Sequence, residues 1–251
     1  HVAAWLAAHG LDGDAPVDIA DASTLRDALA RAQLPDAVDE RDPQAIAEAL
    51  PALPHREYSI ASTARDGRVH LLVRRVHRPD GMAGLGSGWL TEAARIGGTI
   101  DLRIRRNPGF HPPAADVPLI LVGNGTGLAG LRAHWRDRAG TGARTWLLFG
   151  ERTRACDFFH REEIEAALAS GLIERVDLAF SRDGDGPRYV QDALRAEAGR
   201  LRDWVDAGAS IHVCGSLAGM APGVDAVLRK ALGDAVVDAL LDAGRYRRDV
   251  Y

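Results

Sequence analysis

The sequence predicts an antiparallel β region followed by a doubly wound, parallel-sheet α/β domain. Three observations carry that prediction. Short segments before residue 107 alternate apolar and polar side chains with period two. A Pro-rich break follows. Beyond it, short apolar runs alternate with longer amphipathic stretches.

Residues 1–54 read as helical and Ala-rich, as in HVAAWLAAHG and STLRDALARAQL, with Asp and Gly as caps and stops. EYSIAST and RVHLLVRRV, joined by the turn Arg65-Asp66-Gly67, predict a hairpin. A helix is expected to start near Ser87, and TIDLRIRR after it reads as a third strand. There Ile100, Leu102 and Ile104 alternate with Asp101, Arg103 and Arg105, one face for a core and one for water. NPGFHPPAADVP carries four prolines and little periodicity, so it reads as a connection with a domain boundary near Asp116, giving domains 1–115 and 116–251.

After the boundary the order is strand LILVG, helix GLAGLRAHWRDRA, strand RTWLLFG, helix REEIEAALASG, strand RVDLAFS, helix DALRAEAGRLRDWVDAG, strand SIHVCG and helix GVDAVLRKALG. Each strand is a nearly continuous apolar run, as a parallel sheet covered on both faces requires. That is a doubly wound nucleotide-binding architecture.

Composition narrows the function. With 251 residues, 46% of them hydrophobic, the chain buries a substantial core and is not disordered. Lys+Arg 31 against Asp+Glu 35 gives a net charge of −4 with no basic block, which argues against nucleic acid as the main partner. Two cysteines in unlike surroundings build no disulfide framework, and no CxxC or His-rich spacing suggests a structural metal. No apolar run reaches the ~18 residues of a membrane span, and no signal peptide is visible. A cytoplasmic location is the expectation, with an upstream membrane anchor left open. The first residue is His1 rather than Met, which reads as a piece of a longer chain.

Four motifs carry candidate chemistry. Val122-Gly123-Asn124-Gly125-Thr126-Gly127 closes one strand and opens a helix, where free N–H groups favour a pyrophosphate, although a glycine turn alone can be simply a tight turn. Ser181-Arg182-Asp183 with Arg188-Tyr189-Val190-Gln191 puts two guanidiniums, a hydroxyl and an aromatic at the carboxyl end of a parallel strand. That set suits a phosphate monoester beside a stacked adenine, or equally a solvated loop. Arg56-Glu57-Tyr58-Ser59 offers an anion partner and a ring on one strand, while Tyr58 also suits cross-strand packing. Gly84-Leu85-Gly86-Ser87 is a second phosphate seat or an N-cap serine after a flexible turn.

Taken in order, HREYSIAST, GLGSGWL, GNGTGLAG, LAFSRD, YVQDAL, IHVCGS with Met220 after it, and the closing RYRRDVY resemble the ferredoxin-NADP reductase family. Within it they resemble the diflavin reductase branch of the sulfite reductase flavoprotein and cytochrome P450 reductase kind. The resemblance runs from about Pro54 to Tyr251. It implies a partial antiparallel FAD-binding barrel with a short helical insert at about 22–53, then an NADP-binding domain. It implies FAD contacts at Arg56, Tyr58, Ser59, Leu72, Val73, Gly84, Leu85, Gly86, Ser87 and Tyr251, the last as the aromatic over the flavin. NADP contacts are implied at Gly125 and Thr126 for the pyrophosphate, Ser181 and Arg182 for the 2′-phosphate, and Arg188, Tyr189 and Gln191 around the adenosine. Ser59, Cys214 and Asp249 match the trio around hydride transfer.

The implied activity is hydride transfer from NADPH to FAD, then single electrons to an acceptor protein such as an FMN domain, a haem protein or an iron–sulfur protein. FMN itself is expected only if a flavodoxin-like domain lies upstream or in a partner. A stand-alone flavin or quinone reductase, and a reductase-like interaction module without FAD, are the alternatives. By the residues alone, Cys214 also reads as a small core residue and Asp249 as a partner of Arg247 or Arg248. The chain departs from the family pattern at Leu128-Ala129-Gly130, where many relatives carry a proline. It departs again at Ser216 and Gly223, each in place of an aspartate.

Overall fold

A computed structural model describes residues 56–79, 81–184 and 186–251; the Ala-rich stretch and the helical insert expected before them lie outside the described residues. Packing divides the described residues into two units, one holding Arg56–Glu57 with Val73–Ile100, the other Tyr58–Leu72 with Asp101–Tyr251.

In the first unit His77 and Ala83 form an antiparallel bridge, and the Gly84 N–H donates to the Val76 carbonyl at 2.7 Å. A helical turn spans Leu85–Gly88 and widens into a π turn at Trp89–Ala93, so the helix expected at Ser87 begins two residues earlier. Gly84, not Ser87, is its N-cap. The Ser87 hydroxyl is turned back to accept the Val76 N–H at 3.1 Å.

The second unit opens with the expected hairpin, reduced to an Ile60–Leu71 bridge and an Ala61 N–H bond to the His70 carbonyl. Its turn is a 3-10 element, Ala64–Asp66, in which the Asp66 carboxylate accepts the Thr63 N–H at 2.7 Å. The third strand expected at TIDLRIRR is not formed: residues 99–106 make no ladder, and Ile100, Leu102 and Ile104 are exposed. Alternation marks a strand only where a neighbour supplies both hydrogen bonds and a face to cover, and no described segment pairs with this one.

The parallel domain follows the predicted order. Its strands are β1 (Leu119–Asn124), β2 (Thr145–Glu151), β3 (Arg175–Phe180), β4 (Ser210–Gly215) and β5 (Tyr246–Val250), in the spatial order β3-β2-β1-β4-β5 with every pairing parallel. Its helices are α1 (Leu128–Asp137), α2 (Arg161–Ala169), α3 (Val190–Ala196), α4 (Ala198–Asp206), α5 (Met220–Leu232) and α6 (Asp234–Asp242). Alternate residues of the central strands feed opposite cores. Ile120, Val122, Trp146 and Leu148 meet Trp204, Val224 and Leu228 on one face. Leu119, Leu121, Leu147 and Phe149 meet Leu131, Trp135 and Ile164 on the other.

The single helix expected at DALRAEAGRLRDWVDAG is two, broken at Glu197, whose backbone leaves the helical range. The fifth strand, RYRRDVY, lacks an apolar run because it pairs with β4 alone and keeps a partly wet face. Among the described residues no helix is long and apolar enough to cross a membrane.

Beneath the sheet's second face lies a polar inclusion. His134 on α1 and His212 on β4 are buried with ring nitrogens 3.4 Å apart, and Phe110 packs on both at 5.0 and 5.1 Å between ring centres. Burial first, then the positive charge of His111 and Arg138, lowers the His134 pKa to about 4. Burial, His134 and Arg247 lower that of His212 to about 3. Both rings are therefore neutral near pH 7.

The unfolded chain takes up these protons near pH 6.5 while the folded one refuses them, so stability falls as pH drops from 6.5 toward 4. We expect each histidine to cost on the order of 2 kcal/mol of unfolding free energy at pH 5 relative to pH 7.5. Urea unfolding of wild type and His134→Gln across that range checks this: the variant's profile should be the flatter one.

Candidate functional site

The site is built where β1 and β4, neighbours in the sheet, end side by side. The chain leaves β1 toward β2 and β3, then crosses back to β4, so the connections diverge and open a crevice at the strands' carboxyl ends. A 3-10 turn, Gly125–Gly127, links β1 to α1. A Cβ on Gly127 would lie 2.2 Å from the Cys214 carbonyl oxygen, so only glycine lets this turn press against β4. Across the crevice the Asn124 side-chain oxygen accepts the Ser216 N–H at 3.0 Å and ties the two turns together. The 3-10 turn continues α1 backwards, with the Leu128 N–H given to the Gly125 and Thr126 carbonyls, so the N–H groups that this helical start offers to an anion are those of the glycine turn itself.

β5 supplies the third wall. Its register sets Asp249 beside Cys214. The Ser59 hydroxyl donates to Asp249 Oδ2 at 3.2 Å, and Cys214 Sγ lies 3.8 Å from the same oxygen. The structure thus brings together Ser59, Cys214 and Asp249, residues up to 190 apart in sequence. Arg247 and Arg248 are occupied elsewhere: Arg247 reaches the Gly244 and Pro108 carbonyls, and Arg248 lies over the Tyr246 ring. Burial, reinforced by the Asp249 charge, pushes the Cys214 thiol far up from its ordinary value. At neutral pH it is a neutral S–H, a packing group and weak donor rather than a nucleophile.

Tyr251 closes this rim. Its N–H donates to the Gly215 carbonyl and its carbonyl accepts the Leu217 N–H, each at 3.0 Å, while its hydroxyl is 3.1 Å from Thr126 Oγ1. The ring is 59% exposed, an aromatic face at the glycine turn with water on it.

The second predicted cluster lies on the same edge of the sheet. The Ser181 and Arg182 N–H groups donate to the Glu151 and Arg152 carbonyls at 2.9 and 2.8 Å, so the loops after β2 and β3 are zipped together. Tyr189 caps α3, is half-exposed, and has the Arg188 guanidinium 5.3 Å from its ring centre. Gln191 packs on Gly223, where a Cβ would come within 3.0 Å of its amide nitrogen, so the smaller residue makes room for it. Ser181, Arg182, Arg188, Tyr189 and Gln191 therefore border the same strand ends as Gly125 and Thr126, as a dinucleotide laid across those ends requires. The donor set fits NADP: a helix start for pyrophosphate, guanidiniums and a hydroxyl for a phosphate monoester, a tyrosine face for a base.

The predicted flavin contacts are divided. Tyr58, Ser59, Leu72 and Tyr251 belong to the second unit, where Leu72 packs against the core and Tyr58 is half-buried. Arg56, Val73, Gly84, Leu85, Gly86 and Ser87 belong to the first. In that group the Gly84 N–H is already given to the Val76 carbonyl and the Ser87 hydroxyl accepts the Val76 N–H, which leaves the Leu85 and Gly86 N–H groups and the proton of the Ser87 hydroxyl to meet a phosphate.

Sequence reasoning missed two asparagines. Asn124 stood inside the glycine motif, where the glycines drew the argument. Asn107, whose amide donates to Asp249 Oδ1 at 3.2 Å, stood in a Pro-rich stretch read as a connection. The turn Pro108–Phe110 and its buried phenylalanine were the available signal, an apolar ring in an otherwise polar stretch.

Residues 121–226 match the family model of the oxidoreductase NAD-binding domain. The sulfite reductase [NADPH] flavoprotein alpha-component of Neisseria meningitidis serogroup C is 36% identical over 220 residues, covering 80% of this chain and 36% of that protein. The proteins of the same name from Yersinia enterocolitica and Vibrio vulnificus are 35% and 34% identical over 93% and 90% of this chain, and 42% and 40% of theirs. The chain thus spans about two fifths of the length of these relatives.

The packing of the glycine turn gives a paired expectation. Gly127→Ala drives a methyl into the Cys214 carbonyl and should cost about 3 kcal/mol or more. Gly130→Ala meets Cys214 Sγ and Phe110 at 3.5 Å and Ser59 Cβ at 3.8 Å, ordinary contact distances, and should stabilise by about 0.5–1 kcal/mol. Guanidinium unfolding of the two variants should move the midpoint in opposite directions.

Proposed function

We propose that this chain works as the dehydrogenase part of an NADPH-dependent flavoprotein reductase of the ferredoxin-NADP reductase family. The convergence of Ser59, Cys214 and Asp249 beside an exposed terminal ring and an anion-binding glycine turn carries the reading. When bound, NADPH supplies a hydride, and FAD takes up the pair and releases single electrons to an acceptor protein.

The chain's own residues bind and orient. Gly125 and Thr126 hold the NADP pyrophosphate on the α1 N-terminus. Ser181, Arg182 and Arg188 take the 2′-phosphate, which favours NADPH over NADH, and Tyr189 with Gln191 lines the adenosine. Ser59 and Cys214 orient the nicotinamide, and the fixed Asp249 carboxylate favours the positive charge that the ring gains as hydride leaves. Arg56, Tyr58, Ser59, Leu72, Val73, Gly84, Leu85, Gly86 and Ser87 would hold FAD, and Tyr251 would be the aromatic offered to its ring. In this reading residues 1–115 form the FAD-binding domain and 116–251 the NADP-binding domain, with Ser59 and Tyr251 each also serving the other dinucleotide. The acceptor is a redox protein or domain, another component of a sulfite reductase being the one the relatives' name suggests.

Arg182→Ala should lower the ratio of kcat/KM for NADPH over NADH by about tenfold to a hundredfold, the worth of one charge-assisted phosphate contact. An unchanged ratio removes Arg182 from the 2′-phosphate. Cys214→Ala should slow stopped-flow flavin reduction by at least about tenfold while the affinity for NADP+ stays within about threefold. Equal effects on both would mean that the thiol only packs.

A further inference from the structure

We infer that Asn107 is the positioning residue that sets the orientation of the Asp249 carboxylate, an inference resting on the NADP reading of the site. A carboxylate only accepts hydrogen bonds, so the group that Asn107 turns toward Asp249 Oδ1 at 3.2 Å is its NH2. Its own oxygen lies on the Gly109 side, 3.5 Å from where a Cβ there would be. With Oδ1 held, Oδ2 is the oxygen left for the Ser59 hydroxyl and the Cys214 thiol.

The turn that carries Asn107 is itself fixed at three points. The Phe110 N–H closes it on the Asn107 carbonyl at 3.0 Å. The Phe110 ring is buried against His134 and His212. Arg247 on β5, two residues before Asp249 and therefore on the same side of the strand, donates to the Pro108 carbonyl at 3.0 Å. Arg247 is in turn steadied by the Gly244 carbonyl at 2.7 Å. The turn and β5 thus hold each other twice, once through Arg247 and once through Asn107 and Asp249.

Rotation of a carboxylate about its last side-chain bond is broad and nearly two-fold, so one anchored oxygen decides which direction the other faces. An exposed contact of this kind adds little to stability. Its effect is directional, on a charge that must meet one ring and not solvent.

The test uses the whole chain carrying Tyr251→Ala, which frees the nicotinamide side, and titration calorimetry with two probes. NADP+ carries the positively charged ring, and 2′,5′-ADP lacks it. Asn107→Ala should weaken NADP+ by about fivefold to tenfold and leave 2′,5′-ADP within about twofold. Asn107→Asp, of the same shape but repelling the carboxylate, should weaken NADP+ further. In an Asp249→Asn background Asn107→Ala should have no added effect. Circular dichroism and unfolding midpoints confirm that the variants are folded, and if Asn107→Ala is not, Asn107→Asp decides.

Equal losses for both probes, no loss for NADP+, or an undiminished loss in the Asp249→Asn background would overturn the assignment of Asn107 alone. Failure of the Tyr251→Ala parent to bind either probe would instead sink the NADP reading, and this inference with it.

Discussion

The site depends on one close approach, that of Gly127 to the backbone of Cys214. At that contact the first turn of α1 and the end of β4 come nearer than any side chain allows, and Asn124 bridges what remains. Anion-binding N–H groups and a buried thiol are ordinary features of doubly wound sheets. Here they share one crevice because a missing Cβ lets two strand ends share one turn's width.

Beneath that contact the core is not uniformly apolar. Gly130 and His134 on α1 and Arg138 at its C-cap recur every four residues, which sets them near one another along one side. Gly130 adjoins Cys214, His134 meets His212, and Arg138 reaches the Val117 carbonyl and the Thr145 hydroxyl. Two neutral imidazoles fill the level below the thiol without adding a charge there. Among the described residues the charge that acts on the Cys214 sulfur is the Asp249 carboxylate, steadied by Asn107 from the other side.

How much of this could be read from the chain depends on the range of the interactions. β1 to β4 were legible because each is an apolar run bounded by glycine or polar residues, and the sheet's burial dictates both. β5 and α6 were not assigned as elements, since an edge strand such as Tyr246–Val250 can carry Arg247, Arg248 and Asp249 and still pair. The strand expected around Ile104 shows the opposite failure, a correct local period with no partner among the described residues. The trio of Ser59, Cys214 and Asp249 came from resemblance, and no local pattern links residue 59 to residue 249. Asn107 escaped because prolines dominate its neighbourhood, and what gives it meaning is a carboxylate far along the chain.

The separation between Ser59 and Asp249 also bears on how the molecule is made. A nascent chain leaving the ribosome can complete its hairpin and lay down β1 to β4 long before Asp249 is synthesised. For that interval Ser59, Asn107 and Cys214 have no common partner, since the strand that joins them enters the sheet last. Assembly of that cluster is thereby postponed to the docking of β5, and cleavage just ahead of Tyr246 would disband it while also stripping the Tyr246 ring and Val250 from the sheet's first core.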